Sequence, residues 1–135
     1  MPCYDETNVG RYLQTAKKFQ ADALAEFYDA RANGSKDTKI RQAAEKGWGA
    51  VVQATNHLLE KKNVKVPKGT QRREERLIEV EARDQRIREA EIPDKYHAFM
   101  QTLHSECFYD GTYSIKVVER YLRRVGEFIR LIESI

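Results

Sequence analysis

The chain has 135 residues, of which 33% are charged and 41% hydrophobic, and a formal net charge of +3. That size and mixture fit one globular domain with its own core and exclude a disordered tail. No apolar run approaches the roughly 18 residues of a membrane span, Met1 to Gly10 lacks the basic and apolar regions of a secretory signal, and two cysteines cannot build a disulfide framework or a four-cysteine zinc site.

A reduced, cytoplasmic protein is therefore expected, with no membrane partner and no implied cofactor. The charge is uneven: residues 1–34 sum to −1, residues 35–69 to +5, residues 70–92 to −1 and residues 93–135 to 0.

The first helix is expected from about Thr7 to Ala32. Val9, Leu13, Ala16, Phe19, Leu24, Phe27 and Ala30 form its apolar stripe, with Tyr12, Ala23 and Tyr28 beside it. Asn33-Gly34-Ser35 reads as a stop followed by a cap. The second helix is expected from about Lys36 to Lys61. Its stripe is Ile40, Ala44, Trp48, Val51, Val52, Thr55, Leu58 and Leu59. Beside it runs a strip of small residues, Ala43, Gly47, Ala50 and Ala54. Gly47 and Gly49 each cost a helix roughly 1 kcal/mol against alanine, which points to a backbone passing close. The strip reads either as tight packing within the chain or as a subunit interface.

Val66-Pro67-Lys68-Gly69-Thr70 is a loop. The third helix, about Gln71 to Glu91, carries 13 charged residues in 21. Leu77, Ile78, Val80 and Ile87 are its large apolar residues, so a narrow stripe places it on the outside of a bundle or projecting from it. Glu79–Arg83 and Asp84–Arg88 have the spacing of helical ion pairs. Asp84 shares the apolar side with Arg73 and Glu91. That side is then either shallowly buried or a polar seam facing a groove or a partner. Pro93 suits the first turn of a fourth helix, about Pro93 to Tyr109, burying Tyr96, Phe99, Met100, Leu103 and Cys107. Asp110-Gly111-Thr112 ends it. The fifth, about Ser114 to Ser134, has the cleanest stripe: Val118, Tyr121, Leu122, Val125, Phe128, Ile129, Ile132 and Ile135. The pattern as a whole predicts an all-α, antiparallel bundle of four to five helices forming a single domain.

Chemistry-bearing residues are few. His57 projects opposite its stripe and reads as a surface side chain. His97 and His104 lie on one flank, two turns and roughly 10 Å apart, so the pair by itself holds no metal, and no other metal pattern occurs. His104 is the chief candidate. It reads as a hydrogen-bonded residue at the core edge, or as a general base or phosphate ligand in a groove. Phe108, Tyr109 and Asp110 would line that groove, with Tyr109 a second catalytic candidate or simply a packed ring. Cys107 falls within the stripe and reads as an inert thiol. Cys3 reads as exposed. Lys61, Lys62, Lys65 and Lys68 place four ammonium groups in eight residues. They suit sequence-independent phosphate contacts, or are a solvated loop.

Two stretches carry a resemblance. Ala43-Ala44-Glu45-Lys46-Gly47-Trp48-Gly49-Ala50 and Leu103-His104-Ser105-Glu106-Cys107-Phe108-Tyr109-Asp110 are similar to segments of archaeal proteins of the HEPN superfamily, the paREP-type group in particular. The valine-rich last helix, Val117 to Ile132, is similar to the last helix of that group. The resemblance covers roughly residues 36–135. It implies a helical bundle, frequent homodimers, and links to RNA cleavage or to toxin–antitoxin pairs with a small nucleotidyltransferase. The nuclease members carry an arginine followed, after four to six residues, by a histidine. No histidine here has that arginine. The expectation is a non-catalytic HEPN-like homodimer binding a nucleotide, an RNA or a protein partner. Two alternatives stand beside it. One is a divergent metal-independent RNase with His104 as base, assisted by Tyr109 or a distant arginine such as Arg120 or Arg124. The other is a structural module docking a nucleotidyltransferase-type partner through its third helix.

Overall fold

A computed structural model describes residues 10–135. Thr7, Val9 and Cys3 lie outside the described residues. The described chain folds as an all-α bundle with no strand. Its elements are α1 (Arg11–Ala32), α2 (Asp37–Lys61), α3 (Thr70–Arg83), α4 (Gln85–Ala90), α5 (Ile92–Phe99) and α6 (Ile115–Ser134). A π-helical segment, Met100–Asp110, continues α5 without a break. The six α-helices exceed the expected four to five because the charged third helix is divided, while the fold class is as the periodicity implies.

The long helix α2 is the centre of the bundle, packed by α1, α6, α3, α5 and the π-helical segment. Its burial reaches almost round the helix, from Ile40, Val51, Leu58 and Leu59 on the stripe to Ala43, Ala50 and Ala54 beside it. Complete burial of a large apolar side chain contributes about 1.5–3 kcal/mol, so this helix anchors the fold. Trp48 packs on Tyr96 of α5 with ring centroids 5.1 Å apart.

The strip of Ala43, Gly47, Ala50 and Ala54 is buried within the single chain. A methyl group built on Gly47 would overlap Leu122 Cδ2 of α6 and lie 3.5 Å from Leu103 Cδ1. The strip is therefore an internal seam that lets α6 and the π-helical segment approach α2. It is not a surface open to a second subunit.

The helix expected from Gln71 to Glu91 breaks at Asp84, whose backbone is extended. Asp84 caps α4, its Oδ1 accepting from the backbone N–H groups of Arg86 and Ile87. Its Oδ2 pairs with Lys62 Nζ at 2.8 Å. The Asp84–Arg88 and Glu79–Arg83 pairs do not form. Arg76 takes Glu79 at 3.0 Å instead, and the Arg88 guanidinium donates to the Glu81 carbonyl. Glu91, in the left-handed region at φ 54°, makes the corner into α5. Folded back this way, α3 packs in the bundle through Arg73, Leu77 and Val80, and α4 through Ile87. Ile78 is left 51% exposed.

Candidate functional site

α2 presents a polar row beside its apolar stripe: Asp37, Arg41 and Glu45, at four-residue spacing and ending against Trp48. The π-helical segment lies across this row. His104 Nδ1 lies 2.8 Å from Glu45 Oε2, within hydrogen-bond distance, and both side chains are partly buried. Burial pushes the Glu45 carboxyl above its ordinary range, opposed by the hydrogen bond and charge of His104. Three aromatic rings surround the imidazole. Trp48 is tilted at 5.7 Å, Phe108 is stacked at 6.3 Å, and Tyr109 stands edge-on at 4.9 Å. Tyr109 itself is 65% exposed, so the ring cluster opens at the surface.

Arg41 closes one end of this cluster. Its Nε and Nη2 donate to the Phe108 carbonyl at 2.9 and 2.6 Å, and Nη2 also donates to the Tyr109 carbonyl at 2.8 Å. These are carbonyls that the end of a helix leaves unsatisfied. Gly111 follows at φ 68°, and a Cβ there would sit 3.2 Å from Arg41 Nη1. Conformation and space both call for glycine. Asp37 completes the row, accepting from Arg41 Nη1 at 3.3 Å and from the Tyr113 hydroxyl at 2.8 Å. Those contacts, the Tyr113 bond first, hold its carboxyl below the ordinary range.

The structure thus brings together His104, Phe108 and Tyr109 and adds Glu45, Trp48 and Arg41 to them. Asp110 is exposed at the segment's end. His97 departs from expectation. It faces α3, with Nδ1 3.0 Å from Glu74 Oε1, whereas His104 faces α2. The i to i+5 bonding of a π-helix rotates residues away from the α-helical register in which the two share a flank. His57 is also corrected, being partly buried rather than solvated. Burial and then the charge of Lys61 hold its imidazole below 6.5. Cys107 is fully buried, and its thiol is pushed up to about 12, which fits an inert residue. No group of three or more His, Cys, Asp or Glu among the described residues could hold a metal ion. Arg120 and Arg124 lie on α6, where they line a different cleft.

The lysine loop is a built element. Arg73 of α3 is buried, and its Nε donates to Asn56 Oδ1 of α2 at 2.8 Å. Its two terminal nitrogens donate to the carbonyls of Gly69 and Pro67, each at 3.3 Å. The loop is thereby fastened to the core by a cation with only neutral hydrogen-bond partners. Lys62 is spent on Asp84, while Lys61, Lys65 and Lys68 are exposed. Among the described residues no carboxylate pairs with these three.

The model of the Archaeal PaREP1/PaREP8 family matches residues 13–129. The chain belongs to this family. The match takes in the polar row of α2, the lysine loop, the π-helical segment and most of α6. No curated protein and no solved structure matches the chain. Membership in the PaREP1/PaREP8 family agrees with the two signature stretches, which supply the facing sides of the His104–Glu45 contact. Arg41 and Asp37 lie outside both stretches. The signal for them was four-residue polar spacing next to an apolar stripe. No helix among the described residues is long and apolar enough to cross a membrane.

Proposed function

We propose that this PaREP1/PaREP8 chain is a non-catalytic, HEPN-like binding module that acts as a homodimer and holds RNA through its lysine loop. The observation that carries this reading is the way the loop is built. Arg73 and the Lys62–Asp84 pair fix its ends and leave Lys61, Lys65 and Lys68 outward and unpaired. A loop whose backbone is already held presents its ammonium groups to phosphates with little backbone ordering cost and without reading bases. Changing the three lysines to alanine, with Lys62 kept, is expected to weaken binding of single-stranded RNA. The slope of log affinity against log salt should fall by about 2. Equal affinity and equal slope for both proteins would reject the loop's role. Light scattering tests the homodimer. Co-purification tests a nucleotidyltransferase-type partner and the toxin–antitoxin reading that goes with it.

One observation favours the alternative of a metal-independent RNase. The Glu45 bond occupies His104 Nδ1 and leaves Nε2 as the nitrogen for proton transfer, as in oriented catalytic histidines. What weighs against it is the cation. Cleavage at phosphorus needs positive charge beside the reacting oxygens, and Arg41 is committed to two backbone carbonyls and Asp37. The non-catalytic reading predicts that any RNA degradation in a preparation is the same for the parent and for His104→Ala. A loss of cleavage in that variant would establish the RNase.

A further inference from the structure

Asparagine is a thermolabile side chain, and the fate of each one depends on the residue that follows it. Three lie among the described residues: Asn33, Asn56 and Asn63. Asn56 is buried in the middle of α2, where its Oδ1 accepts from Arg73 and the N–H of His57 belongs to the helix. Asn63 is exposed, but Val64 follows it, with a β-branched side chain and an N–H that donates to the Leu59 carbonyl at 2.9 Å. Asn33 has neither protection. It is exposed at the end of α1, and Gly34 follows it at φ 90°, with nothing within 4 Å of where a Cβ would stand. The N–H groups of Asn33 and Ser35 donate to carbonyls of the last turn of α1. That of Gly34, between them, has no backbone acceptor among the described residues.

We infer that Asn33 is a site of self-modification, at which the chain converts an amide into a carboxylate and loosens the end of α1. The Gly34 nitrogen gives its proton to hydroxide and bonds to Asn33 Cγ. The Cγ–Nδ2 bond breaks, and the amide leaves as ammonia after taking a proton from water, which restores the hydroxide. A five-membered succinimide then joins the two residues. Water opens this ring at either carbonyl. Attack at the side-chain carbonyl leaves aspartate, and attack at the backbone carbonyl leaves isoaspartate, with the chain running through Cβ and Cγ. In the amide form, Asn33 Nδ2 donates to the Asp29 carbonyl at 2.8 Å and to Asp29 Oδ1 at 3.2 Å. Helix ends open at little free-energy cost, so these bonds delay ring closure without preventing it. The product is worse placed than the amide. It has no donor for the Asp29 carbonyl, and it sets a second negative charge against the Asp29 carboxylate at the negative end of the α1 dipole. Lys36 and Lys39 line the cleft of about 250 Å³ beside it and draw the new carboxylate away from Asp29. The length of α2, roughly 37 Å, separates this site from the lysine loop, so the inference does not rest on the RNA reading.

The test is prolonged incubation of the folded full chain at neutral and at mildly alkaline pH, followed by peptide mass mapping and enzymatic methylation of isoaspartate. The mass gain of an NH-to-O exchange is expected in the peptide that holds Asn33, ahead of those that hold Asn56 and Asn63. Both aspartate and isoaspartate should form there, at a rate that rises in proportion to hydroxide. Asn33→Gln keeps an amide at the position but needs a larger ring, and should lose the gain. Asn33→Asp, which carries the product charge from the start, should lower the urea midpoint and speed hydrogen exchange in the last turn of α1. Absence of the gain at Asn33 overturns the inference. So does an equal rate at Asn63, because the free Gly34 amide would then decide nothing. Aspartate without isoaspartate also overturns it, since water would then have attacked the amide directly. An unchanged midpoint and exchange rate for Asn33→Asp would overturn the claim that the end of α1 loosens. Changing the three loop lysines should leave the conversion rate unaltered, so failure of the loop reading and failure of this site are told apart.

Discussion

Arg41 and Phe108 are 67 residues apart in the chain, yet the guanidinium of one closes on the carbonyl of the other with two nitrogens, at 2.9 and 2.6 Å. This contact ties the first third of the protein to the end of the π-helical segment. It also holds Phe108 and Tyr109 against the His104 ring. Arg41→Ala is expected to cost about 2 kcal/mol, since carbonyls of a helix end lose charged donors while keeping some access to water. Arg41→Lys should recover less than half, because a single ammonium cannot fork between two carbonyls and Asp37. Urea unfolding midpoints of the three proteins check this. Equal midpoints for parent and alanine variant would show the contact to be incidental.

The two glycines of α2 should behave oppositely on mutation to alanine. Gly47→Ala gains about 1 kcal/mol of helix propensity but pushes a methyl into Leu122, which is 1% exposed and locked in the core. Overpacking of that kind costs about 1–3 kcal/mol, so no net gain is expected, and more often a loss. A Cβ at Gly49 meets Phe19 Cδ2 at 3.3 Å, and that ring is only partly buried and able to shift. Gly49→Ala should therefore be neutral or stabilising. Thermal unfolding of both variants separates the cases, and a stabilised Gly47→Ala would show that the α2–α6 seam has slack.

His57 should make the protein less stable in mild acid. Its imidazole is depressed below 6.5 by burial and by Lys61, with Lys17 adding to the effect and Glu60 and Glu133 opposing it. The folded state therefore holds this proton less tightly than the unfolded chain. Stability is lost as pH falls from 6.5 through the folded value and is unaffected by this group above that window. His57→Gln is expected to remove this part of the slope. Denaturation midpoints at pH 7.5 and pH 5 test it, and parallel slopes in parent and variant would count against the assignment.

Asp84 has two roles that substitutions can divide. The hydrogen bond of Lys62 first, and then the N–H groups of Ile87 and Arg86, hold its carboxyl below the ordinary range. The stability it contributes is present above pH 3.8 and is lost as pH falls through the lower folded value. Asp84→Asn keeps a capping oxygen and loses the ion pair, whereas Asp84→Ala loses both. Hydrogen exchange should be faster in α4 for Asp84→Ala than for Asp84→Asn. Unchanged exchange in both would show that the corner is held by Ile87 and Glu91 alone.

Much of this architecture was legible from spacing. Val118, Leu122, Val125, Phe128, Ile129 and Ile132 recur at helical intervals, and burial tracks them because an apolar side chain on one face of a helix has few other places to go. The same reasoning placed Leu77, Val80 and Ile87 on one stripe but missed the break between them. At that break Asp84 Oδ1 caps α4, while its Oδ2 pairs with Lys62, 22 residues earlier in the chain, a partner that helical periodicity does not reveal. Membership in the PaREP1/PaREP8 family was also readable, from the stretches around Glu45 and His104.

The local sequence by itself determined that this protein is helical, which large apolar side chains form its core and where most of its loops fall, because those depend on periodicity and on local caps. Tertiary structure alone decided that Glu45 meets His104, that Arg41 is spent on backbone carbonyls, and that the small-residue strip of α2 lies inside the chain. Each of these turns on which helix lies against which, and on a π-helical register that alters what faces what. Such pairings are set by the packing of the whole chain, and no window of neighbouring residues contains them.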